Sequence, residues 1–324
     1  MAQVLSRPRR AASIATVFLL VTAFAAGCSG DAAPGGADSG KPGAGQPAVP
    51  ARAADGEVIL PIDDYALTLP QSSLVERARQ MLVRTCIQRF GFDVPLDLDR
   101  DKKREAALVE DLGMYGNKRR YGVSDMTAAA KYGYHSPSDV NGTRPAVDVA
   151  KEKSVSSSAA LKLVLKGNLQ AGQKAPVDTA GKALPKGGCQ GEVNTALSPD
   201  GNLGENNIVS QIARDSYDRS VNDPAVADVF GKWSACMKAK GFDYPMPMEA
   251  GGDFDTATRT VSAQEITVAR TDVTCKREHR VLEVWQAYEV NFQREQIERH
   301  VQELQTAKTD RDAKVKRAAA VVGQ

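Results

Sequence analysis

Five cysteines, at positions 28, 86, 189, 236 and 275, are the residues of this chain that point most directly to chemistry. Cys28 closes the segment Ala25-Ala26-Gly27-Cys28. Before it come a basic stretch with Arg7, Arg9 and Arg10, then an apolar run from Ala11 to Ala26 centred on Phe18, Leu19 and Leu20. These are the zones of a secretory signal, and small residues before a cysteine suit a peptidase that leaves that cysteine as an acylated N-terminus. Ala25 stands where Leu is usual, so an ordinary cleaved signal and an uncleaved anchor remain the alternatives. The expectation is lipidation at Cys28, with the thiol as the point of attachment. The other four cysteines are an even set in an oxidising compartment, which reads as two disulfides. None are spaced as a Cys-x-x-Cys redox pair. His135, His279 and His300 show no ligand-like spacing, and the last two would lie roughly 30 Å apart on a helix. No metal or cofactor is expected.

Two of the cysteines open a repeated passage. Cys86-Ile-Gln-Arg-Phe-Gly-Phe-Asp-Val-Pro95 aligns without gaps to Cys236-Met-Lys-Ala-Lys-Gly-Phe-Asp-Tyr-Pro245, with five identities in ten positions. Gly91 and Gly241 suit the left-handed position just past a helix C-terminus, where a Cβ is strained. Phe92 and Phe242 would then fold back onto Ile87 and Met237, and the prolines prevent the helix from resuming. The motif therefore predicts a helix end with a cysteine in its last turns. Cys189-x-x-Glu192 and Cys275-x-x-Glu278 share a weaker pattern. Four cysteines allow three connectivities; if the halves arose by duplication, Cys86 pairs with Cys189 and Cys236 with Cys275.

These features resemble a group of uncharacterised secreted lipoproteins of high-GC Gram-positive bacteria. The likeness rests on Pro61-Ile-Asp-Asp-Tyr65, the two cysteine–glycine helix ends, Gly188-Cys-Gln-Gly-Glu192, Trp233-Ser-Ala-Cys-Met237 and, more loosely, Ala269-Arg-Thr-Asp-Val-Thr-Cys275. It covers most of the chain after residue 57. The resemblance implies a helical fold with these disulfides and brings no activity or active-site residues.

The elements that would hold these cysteines follow from pattern. Residues 1–27 are the signal, and 28–56 form a Gly/Ala/Pro tether too poor in apolar side chains to fold. Residues 57–200 form a first helical half with a loop-rich insertion at 114–150, and 201–324 a second. Glu57 to Thr68 reads as an extended lead-in. Ser73-x-x-Glu76 resembles a capping box, predicting a helix over about 74–90; Asp223-Pro224 opens another over about 224–240. Further helices are expected near 101–112, 158–166 and 205–221. Ser262-x-x-Glu265 is a second capping box, and with no Gly or Pro before Gly323 one helix could run from about 263 to 319. Its part after Phe292 has few large apolar residues, so it reads as a projecting arm that survives truncation after Arg294. The expected fold class is mainly α: a disulfide-bridged helical domain of two related halves, ending in a long C-terminal helix.

Charge adds little. The whole chain has 42 basic and 40 acidic side chains, but three arginines and no acid lie in residues 1–27, leaving 39 against 40. A near-neutral mature chain gives no electrostatic case for nucleic acid. No nucleophile elbow, Walker loop, dinucleotide-binding glycine run or zinc-protease helix occurs. Asp63 and Asp64 are expected to cap or face solvent, and Trp233 and Trp285 to anchor the core. Tyrosines interleaved with basic residues in 114–150 could bind a glycan or polyanion, though a partly packed surface loop is the simpler reading. The expectation is thus an extracytoplasmic protein on the outer face of the membrane, held by its lipid. It would act non-catalytically on an envelope protein or cell-wall partner through the C-terminal helix. The competing expectation is a cell-wall-active enzyme or enzyme accessory with its site in the insertion.

Overall fold

The computed structural model describes residues 56–146 and 158–323. The signal segment, Cys28 and nearly all of the tether lie outside them. The described residues belong to one compact unit, Gln46–Gln324.

Both cysteine–glycine passages end helices as their chemistry requires. Helix α1 (Leu69–Arg89) reaches Gly91 at φ 81°, and the amides of Gly91 and Phe92 donate to the carbonyls of Gln88 and Ile87. Gly241 repeats this at φ 91°, with Gly241 and Phe242 donating to Lys238 and Met237. The two bonds together are the Schellman ending, and each Phe packs on the cluster that holds its Ile or Met. Cys86 is bonded to Cys189 and Cys236 to Cys275, with Cα separations of 5.7 and 5.8 Å inside the ordinary range.

After α1 come α2 (Leu98–Leu112), α3 (Met126–Tyr132) and the single turn α4 (Pro137–Val140). Then follow α5 (Ala159–Lys166), α6 (Gly188–Leu197), α7 (Asn207–Ser220) and α8 (Pro224–Ala239). The chain closes with α9 (Ala263–Glu278), α10 (Val281–Arg299) and α11 (Val301–Val322). Asp223 caps α8 through the amides of Ala225 and Val226, as its sequence predicts.

Element bounds change in three places. Helix α1 begins at Leu69 rather than near Leu74, because Thr68 and Gln71 form the reciprocal cap; Ser73 lies inside the helix. The lead-in is not extended throughout, since Pro61–Tyr65 is a 3-10 turn whose Asp63 carboxylate accepts from the Leu60 amide at 2.7 Å. The C-terminal segment is not one helix. It breaks at Arg280, a non-glycine residue in the left-handed region at φ 53°, and again at His300.

The second break returns α11 along α1. Leu304 and Ala318 are fully buried, and Ala318 joins Val75, Ala78, Val193 and Leu197 in one apolar cluster. Lys314 donates to the Gly204 carbonyl, Arg311 to those of Asp64 and Ala66, and Arg317 to that of Leu197. The expected projecting arm is therefore a docked helix. Small alanines and the aliphatic stems of Lys and Arg cover the surface that large apolar residues were expected to supply.

The main core surrounds the two tryptophans, both wholly buried. Trp285 packs against Tyr121, Tyr217 and Phe230 with ring centroids 4.8, 5.5 and 4.7 Å away. Tyr121 belongs to the insertion, which is not a plain loop: it contains α3 and α4, and α3 lies against α9.

Asp63 carries a pH prediction. It is buried, and burial raises its carboxyl to about 6, outweighing hydrogen bonds from Leu60 and Asn117 and the charge of Arg120. The folded state thus holds this proton more tightly than the unfolded chain. The group destabilises the fold fully above pH 6, and the penalty fades as pH falls towards 3.8. Asp63→Asn keeps an acceptor for Leu60 and should stabilise the domain at about pH 7.5 by on the order of 2 kcal/mol. The gain should shrink between about pH 6 and pH 4 in thermal melts. A gap that stays constant across this range would remove the account.

Candidate functional site

The junction of the insertion with α9 gathers four buried titratable groups, His135, Glu265, Asp272 and Lys276. Helix α9 starts at Ser262, whose side chain accepts from the Glu265 amide. Glu265 does not close the expected capping box. Its carboxylate turns inward to the Tyr134 amide (2.7 Å) and His135 Nδ1 (2.8 Å), the carboxylate and the imidazole both being almost wholly buried. Two turns on, the Asp272 carboxylate accepts from Trp233 Nε1, Lys276 Nζ and the Tyr134 hydroxyl at 3.0, 3.0 and 3.3 Å. Lys276 spends its other two protons on the carbonyls of Tyr121 and Val123. Burial pushes the Asp272 carboxyl up, opposed by Lys276 and Trp233, and burial also pushes the Tyr134 phenol up.

Such acid–base groups are the raw material of catalysis, but here each is closed in. Lys276 and Asp272 are 1% and 0% exposed, and His135 and Glu265 1% and 2%. Each atom named is already hydrogen-bonded. What the arrangement does is bind the insertion to α9.

Open space lies just outside this cluster. One cavity of about 110 Å³ is lined by Asp111, Lys118, Arg119, Ser124, Asp125 and Arg277. Asp111 is held by the amide and hydroxyl of Ser138 and by Arg144, and Asp125 caps α3 through the Ala128 amide. Asp111 is thus fully engaged, and Asp125 has one oxygen committed to its helix cap. Arg119 donates to the carbonyls of Tyr134 and His135, and burial holds its guanidinium below the usual range. A second, wider depression of about 320 Å³ is lined by Met126, Lys240, Arg270 and the threonines 267, 271 and 274. Each threonine hydroxyl donates to a backbone carbonyl four residues earlier, so its oxygen keeps its capacity to accept. Arg270, Thr274 and Arg277 share one flank of α9 at helical spacing. Lys240, Arg270 and Arg277 are exposed, and none is ion-paired among the described residues.

The residues singled out from sequence fall elsewhere. The four cysteines form the two bridges, and Gly91, Phe92, Gly241 and Phe242 form helix ends, so all eight are structural. Cys28 lies outside the described residues. Sequence reasoning missed the buried Asp272–Lys276 and His135–Glu265 pairs; the i, i+4 spacing of the first was the only available signal. It weighed His279 as a metal ligand and set it aside for want of a ligand-like spacing, although His279 stands four residues after Cys275 and so about one helical turn away. Among the described residues, Cys236, Glu278 and His279 are the metal-ligating types that come together, their ligand atoms all within 4.8 Å of one another. In this state Cys236 is bonded to Cys275 and is no ligand.

No protein-family model, curated protein or solved structure matches the chain.

Proposed function

We propose that this chain is an exported, lipid-anchored protein of the cell envelope that works by binding rather than by catalysis. The observation that carries the binding half is the contrast beside α9. The acid–base groups are sealed and fully engaged, while Lys240, Arg270 and Arg277 stand at open depressions without an ion-pair partner among the described residues. Cations beside hydroxyl oxygens that can still accept suit an anionic, hydroxyl-rich envelope component. The export half is supported by the signal segment ending at Cys28 and by the likeness to secreted lipoproteins. The two disulfides are consistent with an extracytoplasmic location. Among the described residues no helix is long and apolar enough to cross a membrane. A protein partner using the C-terminal helix would meet its outward face near Val301, 60% exposed, because the inward face is committed to α1. The enzyme reading loses ground because Asp111, the buried carboxylate in the insertion's cavity, is already engaged by Ser138 and Arg144.

Labelled fatty acid should enter the wild-type protein and not Cys28→Ala, which should leave the membrane fraction or remain unprocessed. Arg270→Glu with Arg277→Glu should keep the melting temperature and lose retention on isolated cell envelope. Absence of label in the wild type would end the lipoprotein half; undiminished retention of the charge-reversed protein would end the groove.

A further inference from the structure

The two disulfides sit in related settings that differ at one telling position. In the first, Glu192 lies three residues after Cys189 and is taken up by Arg89, whose Nη2 stands 2.8 and 2.9 Å from its carboxylate oxygens and 3.0 Å from Cys86 Sγ. In the second, Glu278 lies three residues after Cys275, but the residue aligned with Arg89 is Ala239. Among the described residues no arginine takes up that carboxylate. Glu278 Oε2 instead faces Cys236 Sγ at 3.7 Å, and Oε1 lies 4.0 Å from His279 Nε2.

Those spacings lie at and somewhat above the ones a metal's coordination shell would impose, so the side chains need close in by only about 1 Å to reach it. Zinc bonds of about 2.0–2.3 Å in a tetrahedron place neighbouring ligand atoms about 3.3–3.8 Å apart. The sulfur, carboxylate and imidazole atoms are all within 4.8 Å of one another, and Cys275 Sγ is bonded to the first of them. Two helix ends hold the set: Cys236 in the last turn of α8, and Cys275, Glu278 and His279 at the end of α9. Cys236 is partly accessible and both other side chains reach solvent, so an entry path exists.

We propose that reduction of Cys236–Cys275 converts this corner into a zinc site, with Cys236, Cys275 and His279 as ligands and Glu278 as the fourth. A dithiol reductant supplies two electrons and two protons. The S–S bond breaks, both sulfurs leave as thiols, and the reductant's sulfurs join as its own disulfide. Zinc then displaces the two thiol protons to water, since the thiolate is the ligand. Oxidation reverses the sequence and releases the metal. The same helix ends are thus held by a covalent bridge in one redox state and by a metal in the other. The first disulfide has no histidine in its ligand-type cluster among the described residues and keeps its Arg89–Glu192 pair, so it acts as an internal control.

The test uses the full chain carrying Cys28→Ser, with cobalt(II) as the spectroscopic probe and zinc as competitor. The oxidised protein should show no sulfur-to-cobalt absorption. After reduction one cobalt per chain should give that absorption, and zinc should displace it. His279→Ala should weaken reduced-state binding about tenfold or more, and Glu278→Gln more modestly, whereas Cys86→Ser with Cys189→Ser should leave it unchanged. If reduction unfolds the chain, return of the helical circular dichroism signal on adding zinc, lost in His279→Ala, supports the site equally. No thiolate absorption after reduction overturns the proposal, as does binding that depends on Cys86 and Cys189 but not on His279.

Discussion

Deleting residues 295–324 should abolish cooperative folding. The deletion removes all of α11, and with it the fully buried Leu304 and Ala318 and the nearly buried Ala307. It also bares Val75 and Ala78 of α1 and Leu197 of α6, which Ala318 covers. The carbonyls of Gly204, Leu197, Asp64 and Ala66 lose their lysine and arginine donors as well. Removing one large buried side chain costs about 2–5 kcal/mol, and a whole domain is stable by only about 5–15 kcal/mol. Leu304, the bared apolar faces of α1 and α6 and the four carbonyls left without donors together bring the loss to the scale of that margin. Thermal unfolding followed by circular dichroism should become broad and featureless, and limited proteolysis should cut within α1. A milder variant tests the same contact: Ala318→Glu places a carboxylate against Val75 and should lower the melting temperature without truncation. A truncated protein with a sharp, wild-type-like transition would restore the projecting arm.

That expectation reverses what the sequence suggested, and the reason is physical. After Phe292 the segment has charged or polar side chains at most positions, so a count of large apolar residues finds no face to bury. The buried face is made of Leu304, Ala307, Lys314 and Ala318, and only one of these reads as a core residue. The breaks at Arg280 and His300 were equally hidden, because neither position carries the glycine or proline that usually marks a turn. A left-handed non-glycine residue costs about 1–2 kcal/mol, and packing on both sides of Arg280 offsets it. What was legible was local chemistry. The Gly91 and Gly241 helix ends and the Asp223 cap lie in short patterns with a stereochemical cause, the tryptophans announce the core by their type, and the disulfide pairing followed only from reading the halves as a duplication. The polar cluster ties Tyr134 and His135 to Glu265 and Asp272, positions separated by 130 residues or more, and nothing local announces it.

Lys276→Met should be among the most damaging single substitutions. Methionine nearly conserves the volume but removes the three donors that Asp272, Tyr121 and Val123 use. It leaves an uncompensated carboxylate at a site with no exposure. Breaking one side of a buried ion pair typically costs about 3–5 kcal/mol, more than the pair itself contributes. Adding Asp272→Asn should recover part of the loss, because the neutral amide removes the stranded charge while its oxygen can still accept from Trp233. A chemical-denaturation series should therefore rank wild type above the double variant and the double variant above Lys276→Met. If Lys276→Met changes stability by less than ~1 kcal/mol, the pair is peripheral and the insertion is held by its apolar contacts alone.

Helix α1 and helix α11 are the first and last long elements of the described chain, and they are side-by-side neighbours. A chain delivered N-terminus first presents Val75 and Ala78 long before Ala318 arrives to cover them. Contacts so distant in sequence form late, because the loop between them must close before either side gains from the other. Helix α1 therefore gains its last cover only when α11 has formed, and the closing helix works as a clasp.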